Sequence, residues 1–531
     1  MNNENQKLND PDLSTTNLND ESNANNLTKD EVNSKDSNQI LVKSPIKNHQ
    51  PPAHVDTLNE VIIFYLKIFS GTALFFMCRF FQQLLNISFL GLKYENPHMI
   101  DAIGLAHLYT NVLLFSFCIV CVYTLDFLGS RAFGQKNYYL YGILIHRTFI
   151  TMYAILILLY IIHFFAASPF MLVISMDYQQ YEYFDLYIKL FQLSYIFEFT
   201  HIIFIRYLNL IGKSYVSIII LVITMLMHVA FCYIYINLLD MVVAGAACAT
   251  ISTQFLNCIL EIIYIWSVKP LPEVWFCFNK DSWSGQGLWD FMKVYFPLLP
   301  ISMSGLWSQE IQMFIAFTLG KLNLAAHVVL QTIANIFLGI SFGSSFSTVI
   351  LVGFYMGKND IPKAKLMLYV SSIIASIVVV TLVIFMIIFR IPLIKSFLNE
   401  PKVLDNILKC FPLLCVYQIL EVNNRNFYNW YRAIGQKAIS ILVPVITYFV
   451  VQLTISLCLT KVIDLNIVGI WTSNVTAEAF SIICLLIYFF IVDIEASCLE
   501  LIRFHDAEDR SRGEHLKGED ELASEEENKK K

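Results

Sequence analysis

The chain has 531 residues, of which 56% are hydrophobic and 15% are charged, and its formal net charge is −6. Soluble globular proteins average about 45–50% apolar and about 25% charged residues, so the composition excludes a soluble enzyme and a disordered protein. The acidic balance also excludes a nucleic-acid-binding protein, because binding to DNA or RNA requires a basic surface.

Charged residues are densest near the two ends of the chain, in residues 1–56 and 497–531. We expect both segments to be disordered cytoplasmic tails. The chain before Pro51 contains no apolar run of the kind found in a signal peptide. The first hydrophobic segment is therefore expected to serve as its own signal anchor.

Between the tails, long apolar runs are separated by polar breaks. A helix of about 20 apolar residues spans a bilayer, because lipid cannot satisfy free backbone groups. The chain is therefore predicted to be an all-α polytopic membrane protein with twelve transmembrane helices in two six-helix lobes. The lobes are residues 57–268 and 290–496, joined by a cytoplasmic linker at 269–289. The predicted spans are 62–90, 104–130, 140–167, 186–211, 216–238, 242–267, 290–319, 326–355, 365–389, 404–432, 438–460 and 467–494.

Lysine and arginine predict how the chain lies in the membrane. Their bias between alternate loops is about two to one in favour of a cytoplasmic N-terminus. An even number of spans then places the C-terminus on the same side. We expect an integral protein of the plasma membrane or of an endomembrane or vacuole.

The two halves of the chain share landmarks at a constant offset in residue number. A repeat of six helices enters the membrane twice from the same side, as in many secondary transporters whose halves enclose a cleft. The offset is 223 for three pairs and 224 for the fourth: Gly134 and Gly357, Gly212 and Gly435, Thr224 and Thr447, Gly245 and Gly469. The sequence therefore predicts a parallel repeat.

Acidic residues inside the predicted spans are the first functional candidates. A charge in the bilayer interior is costly, so such residues are rare and are by default functional. Five acids lie well inside spans: Asp126, Glu198, Glu310, Glu421 and Glu478. No lysine or arginine is expected in mid-span beside them, and a desolvated carboxylate without a cation tends to bind H⁺ or Na⁺.

The repeat relates some of these acids to one another. Glu198 corresponds to Glu421 at the offset of 223, and Glu478 corresponds to Gln254 at the offset of 224. Structural roles are the alternative. Glu421 could pair with Arg425 one turn away, Glu198 could bind a nearby histidine, and the other acids could brace loops or helices.

A polar run surrounds Glu310 and predicts a cavity wall, because Trp307 and Gln309 precede it directly in the span. Trp307 and Tyr417 could face a substrate cation. Their alternative role is in the aromatic belts at the membrane interfaces. Cys118 and Cys121 form a CxxC pair, but it lies inside an apolar run, where cysteines are expected to be small packing residues, so we expect no metal site and no cofactor beyond the coupling ion.

Several ordered motifs over about residues 60–495 match the signatures of one family of membrane proteins. TLDFLGSRAFGQ at 124–135 is similar to the family's ALDTLCSQAYGQ, and GILIHR at 142–147 is similar to GVYLQR. GAACATIS at 245–252, the segment from Val352 to Ala364 and GIW at 469–471 also match. The ordered set resembles the MATE (multidrug and toxin extrusion) family in its eukaryotic form, and the resemblance implies proton- or sodium-coupled efflux of organic, often cationic, compounds.

The resemblance also identifies where this chain departs from the family. The seventh helix of eukaryotic members carries EWWxxE; here the first glutamate is Gly305 and the second is Glu310. The tenth-helix glutamate falls on Glu421, and the family's RGSGNQK is reduced to RAIGQK at 432–437. Coupling could then rest on Glu421 and Glu310, or Glu198 could take over the role of the missing acid.

We therefore predict an antiporter, with a small-molecule substrate bound in a central cleft against the C-terminal lobe. Glu421 and Glu310 would alternate between protonated and ionised states. The lipid bilayer is its other expected partner, and the protein is expected to be a monomer that binds no nucleic acid. A lipid-linked or oligosaccharide flippase and a non-transporting scaffold or receptor are the alternatives. An enzyme is not expected, because the spans carry no HExxH, Asp-rich or nucleophile-elbow motif.

Overall fold

A computed structural model describes residues 57–94, 96–174, 178–395 and 401–501, which contain helices and no strands. The predicted tail at 1–56 and most of the tail at 497–531 lie outside these residues. Twelve long helices confirm the predicted all-α fold, and a short helix at Arg390–Lys395 lies between the ninth and tenth of them. They are α1 (Leu58–Tyr94), α2 (His98–Gly134), α3 (Tyr138–Ile174), α4 (Tyr178–Phe191 and Ser194–Leu210), α5 (Ser214–Leu238), α6 (Val242–Val268), α7 (Gly285–Thr318), α8 (Lys321–Gly357), α9 (Ile361–Ile388), α10 (Pro401–Ala433), α11 (Lys437–Val462) and α12 (Asn466–Ile491).

Ten of the described helices are long and apolar enough to cross a membrane, and α4, which bends by 41° between its two parts, is an eleventh as a broken span. The remaining segment, α7, has 34 residues. It is long enough to span but carries more polar side chains. It begins at Gly285, slightly before the predicted start at 290. Polar residues in α7 mark a helix that faces the interior of the protein rather than lipid.

The ends of the helices repeat at the offset seen in the sequence. α2 ends at Gly134 and α8 at Gly357, an offset of 223 (357 − 134). The same turn follows each helix: the Asn137 amide donates to the Ala132 carbonyl at 2.9 Å, and the Asp360 amide donates to the Tyr355 carbonyl at 2.9 Å. Such a bond closes the last turn when the residue before the donor is left-handed.

Left-handed residues recur at corresponding positions of the two halves. The pairs are Lys136 and Asn359, Gly212 and Gly435, Asp240 and Asp464, and Val242 and Asn466. Because each pair has the same offset of 223 or 224, the two halves turn their chains in the same way between helices. The predicted parallel repeat is confirmed, with α1–α6 in one lobe and α7–α12 in the other.

The lobes meet along α1, α2, α7 and α8, where α8 packs against both α1 and α2. Glycines allow the closest approach. A Cβ on Gly134 would lie 3.1 Å from the Gly357 Cα and would overlap the Phe354 carbonyl oxygen, and a Cβ on Gly357 would overlap the Arg131 carbonyl oxygen. Small residues let membrane helices pack backbone against backbone. This contact joins the lobes at the end where α2 and α8 both finish.

Candidate functional site

A cavity lies between the lobes, with walls from α2, α7, α8 and α10. The space between its walls is about 470 Å³, including the open part. Phe342 and Phe346 supply an apolar wall. The polar and charged lining consists of Tyr123, Ser302, Gln309, Ser345, Arg425, Tyr428, Asn429 and Arg432. In the described part of the chain, no carboxylate is among the lining residues.

Helical spacing explains which side chains reach the cavity. Residues three, four and seven apart lie on one face of a helix. On α10 this places Arg425, Tyr428 and Arg432 on the face toward the cavity, and on α7 it does the same for Gly305 and Gln309. Both helices thus present one polar stripe to the space between the lobes.

Glu421 does not stand alone in α10. Its Oε1 atom lies 2.6 Å from the Arg425 Nε atom, one turn along the helix, and both side chains are largely buried. The Arg425 guanidinium lies 4.4 Å from the centre of the Phe342 ring. The predicted alternative of an intrahelical ion pair is therefore what the structure shows, and the carboxylate is neutralised locally.

Glu478 on α12 has hydrogen-bond donors instead of a cation. The Asn424 side-chain amide donates to it at 2.5 Å, and the Tyr448 hydroxyl donates at 3.2 Å. Within the described residues no lysine, arginine or histidine forms an ion pair with it. Tyr448 also connects this carboxyl to the cavity wall, because a Cβ on Gly305 would lie 3.9 Å from the Tyr448 ring.

The repeat gives Gly305 and Glu478, which both lie beside Tyr448, counterparts in the other lobe. Their counterparts in the other lobe are Gln82 and Gln254, at offsets of 223 (305 − 82) and 224 (478 − 254). Gln254 donates a hydrogen bond to Gln82 at 3.0 Å. In the C-terminal lobe, Gly305 has no side chain and Glu478 has a carboxyl group. The acid that the family resemblance places at 305 is thus missing, and Glu478 supplies a carboxyl group that contacts the same tyrosine, Tyr448.

Glu310 faces the other lobe. It is in polar contact with Asn111, whose side-chain oxygen accepts a hydrogen bond from Arg79 at 3.1 Å. Trp307 donates from its indole to the Val112 carbonyl at 3.2 Å. Asn111 begins a π-helical stretch of α2, and such stretches are frequent at functional sites. Trp307 therefore joins α7 to α2 and does not line the cavity.

The other predicted site residues divide between the two lobes. Tyr417 contacts Trp471 edge-on at 6.0 Å and lies beside Gln309 on the cavity wall. Glu198 pairs with Arg79 at 2.6 Å, with both side chains buried. The structure thus brings Gln309, Tyr417, Glu421 and Glu478 together in the C-terminal lobe, with Glu198 and Asp126 in the other.

The expectation that no basic residue lies in mid-span is wrong. Arg79 lies near the middle of α1 and pairs with Glu198 on α4, and Arg206 lies 3.3 Å from Asp126 on α2. Spacing along one helix could not reveal these pairs, because each joins two helices. Glu198 and Glu421 are related by the repeat, and each is held by an arginine at 2.6 Å. The arginines themselves occupy unrelated positions.

Sequence reasoning also missed a buried pair in the N-terminal lobe. His201 on α4 lies 2.8 Å from Glu261 on α6, and both side chains are fully buried. The alternative in which Glu198 binds a nearby histidine, His201, is therefore wrong, because His201 pairs with Glu261 and Glu198 pairs with Arg79. Glu261 lies inside the predicted sixth span, so a complete scan for acids in spans would have found it.

Comparison with known proteins places this architecture in a family. The MatE family model matches residues 70–234 and 297–457, one match in each lobe. The chain belongs to the MatE family. The sequence resemblance is thereby confirmed, and members of this family are transporters rather than enzymes.

Individual MatE relatives are distant. Human multidrug and toxin extrusion protein 1 is 21% identical over 402 residues, 75% of this chain and 70% of that protein. Human multidrug and toxin extrusion protein 2 is 25% identical over 247 residues, 45% of this chain and 39% of that protein. The match to rabbit multidrug and toxin extrusion protein 2 covers 42% of its length. The chain therefore spans less than half the length of these two relatives.

Solved MatE structures share the fold. The eukaryotic MATE transporter AtDTX14 superimposes with a TM-score of 0.77 over 84% of this chain and 99% of its own, at 14% identity. A MOP superfamily transporter from Pyrococcus furiosus gives a TM-score of 0.73 at 16% identity. Its binding pocket is reported to have reverse polarity. At such identities the likeness concerns the fold alone.

Proposed function

We propose that this protein is a secondary antiporter that exports small organic compounds in exchange for H⁺ or Na⁺ by alternating access. Membership of the MatE family, the parallel repeat and the cavity between the lobes support a transporter of this class. The observation that carries the exchange is Glu478, a buried carboxyl with hydrogen-bond donors and no described cation, one tyrosine away from the cavity wall.

Glu478 takes the coupling role that the sequence prediction gave to Glu421 and Glu310. Glu421 is held by Arg425 at 2.6 Å, which favours a structural role. Glu310 remains a second exchangeable group, because no described cation pairs with it. Binding of H⁺ or Na⁺ at Glu478 changes the hydrogen bonding of Tyr448 at the cavity wall and competes with a basic group on the substrate. Release of the ion on the other side restores substrate binding.

A flippase for lipid-linked compounds is the second candidate, and the cavity lining favours it more than the sequence did. The sequence argument against it rested on acidic groups in the spans. Arg425 and Arg432 instead line the cavity, and guanidinium groups bind phosphate well. A fluorescent phospholipid that changes leaflet only in vesicles containing the protein would favour this function over antiport.

The proposal is tested in sealed vesicles that contain the purified full-length protein and the fluorescent organic cation dansylcadaverine. A pH gradient is applied, and then a Na⁺ gradient. Glu478→Gln should reduce gradient-driven movement at least about tenfold, because an amide cannot take up the ion. An amide already occupies the corresponding position as Gln254, so the fold is expected to tolerate it.

Glu495→Gln is the matched control, since it removes a carboxylate from an exposed position outside the spans. This variant should transport like the unmodified protein. Gradient-driven transport that persists in Glu478→Gln would contradict the assignment of Glu478. The absence of movement under both gradients in the unmodified protein would contradict antiport of organic cations.

A further inference from the structure

Arg432, the penultimate residue of α10, is a buried guanidinium with no counter-charge. Its side chain is 1% exposed and lines both the cavity between the lobes and a smaller adjoining pocket. Its Nε and Nη2 atoms are buried without a hydrogen-bond partner. Throughout the described ranges, no carboxylate lies within ion-pair distance of it. The centre of the Tyr123 ring lies 5.3 Å away, which is a contact with an aromatic face and not with an anion.

The neighbouring charges are already paired. Arg425, the other arginine on the cavity wall, is neutralised by Glu421 at 2.6 Å. Asp126 acts on Arg432 electrostatically, but its carboxylate lies 3.3 Å from Arg206. Counting these pairs as neutral leaves one uncompensated positive charge on the wall of the cavity.

A buried charge without a partner is strongly destabilising, so proteins pair such groups or bind a ligand to them. A guanidinium binds carboxylate, sulfonate or phosphate with two parallel hydrogen bonds. Tyr428 and Ser302 add hydroxyl groups to the same lining, while Phe342 and Phe346 offer an apolar wall to the body of a ligand. The cavity thus has the parts of a site for an organic acid with an aromatic or aliphatic body.

We infer that the exported compound carries an acidic group that binds Arg432. This inference rests on the proposed function and specifies its substrate. Exchange at Glu478 calls for a basic group on the substrate, and Arg432 calls for an acidic one. The preferred substrate is therefore a zwitterion, an amphoteric organic compound, which should bind more tightly than a simple organic cation.

Equilibrium binding to the purified full-length protein tests the inference without requiring transport. Nε-dansyl-lysine and dansylcadaverine share a fluorophore and an amino group, and only the first carries a carboxylate. We expect dansyl-lysine to bind at least about tenfold more tightly, because a charge-assisted bidentate contact is among the strong hydrogen bonds. Arg432→Gln should abolish this difference and Arg432→Lys should keep part of it. Arg390→Gln, which changes an exposed arginine, should leave it unchanged.

A second variant keeps the test decisive if Arg432→Gln does not fold. Gly305 faces the cavity, and a Cβ there meets only Tyr448, at the ordinary distance of 3.9 Å. Gly305→Glu would place a carboxylate on the wall and should remove the preference for dansyl-lysine. Gly305→Gln, of the same size but uncharged, should retain it.

The outcomes separate this inference from the proposed function. Equal affinity for the two dansyl compounds in the unmodified protein would overturn the inference, while transport in vesicles would still stand or fall on its own assay. Equal behaviour of Gly305→Glu and Gly305→Gln would overturn it as well. A phospholipid headgroup also carries an anionic phosphate. Displacement of dansyl-lysine by dihexanoyl phosphatidylcholine would therefore support the acidic-group site and identify a lipid as its source.

Discussion

Replacing Gly134 by alanine should push α2 and α8 apart at the end where both helices finish. The new Cβ would lie 3.1 Å from the Gly357 Cα and would overlap the Phe354 carbonyl oxygen. These are backbone atoms, so no side chain can rotate out of the way. The helices must separate by something on the order of 1 Å, because packed protein interiors have no spare volume.

The energetic effect follows from overpacking. Extra methyl groups in a well-packed contact typically cost about 1–3 kcal/mol. The contact joins one lobe to the other, so the cost falls on the state in which the lobes meet at this end. The ratio of closed to open molecules should then decrease by about 5- to 150-fold. Gly357→Ala acts on the same crossing, so Gly134→Ala and Gly357→Ala together should cost less than the sum of the two.

Hydrogen–deuterium exchange of the purified protein measures the change. The turns after α2 and α8 are closed by backbone hydrogen bonds, and their amides should exchange faster in Gly134→Ala. Gly104→Ala is the matched control, since Gly104 also lies in α2 and a Cβ there would meet nothing within 4 Å. It gains the same helix propensity without the clash. Equal exchange in the two variants would refute the reasoning.

Three further predictions concern stability, each measured by thermal unfolding in detergent. Arg79→Met leaves Glu198 buried and unpaired and should lower the free energy of unfolding by about 3–5 kcal/mol. Most of this stability should return when Glu198→Met is added. A single variant as stable as the unmodified protein would contradict the buried pair. Hydrogen bonds from Lys93 and Tyr94 of α1 lower the pKa of Asp240. The stabilisation that Asp240 gives the folded protein is therefore complete above the ordinary pKa of about 4 and is lost as the pH falls through the lowered value. Asp240→Asn should flatten this dependence of the melting temperature on acid pH. Val242 is β-branched and has a φ of +52°, and its counterpart in the other lobe is Asn466. Val242→Asn should therefore stabilise the protein by about 1 kcal/mol. A lower melting temperature of this variant would contradict backbone strain at Val242.

The chain order of the helices and their repeat could be predicted because they depend on local composition and on spacing. Apolar runs determine spans, and the glycines at 134 and 357 recur at the spacing of the helix ends. Glu421 with Arg425 was also open to prediction, since both lie on one helix face, one turn apart. The polar character of α7, with Gln309 on the cavity wall, was predicted for the same reason.

Contacts between helices were not open to prediction. The pairs of Arg79 with Glu198 and of His201 with Glu261 join residues 119 and 60 positions apart. Which helices lie side by side is decided by packing, and one sequence carries no direct record of it. The charge of the cavity was mistaken for this reason: the acids were visible in the spans, but packing decides which side chains line the cavity, and Arg425 and Arg432 do.

By itself, the sequence determined that this protein is a helical membrane protein with a parallel repeat of six helices, because bilayer thickness and backbone hydrogen bonding leave few alternatives to apolar helices. It also determined which acids are buried in the spans. Only the tertiary structure decided which of those acids have an arginine beside them. A carboxylate beside an arginine is neutralised, while Glu478 has only hydrogen-bond donors. The same packing left Arg432 on the cavity wall without a counter-charge.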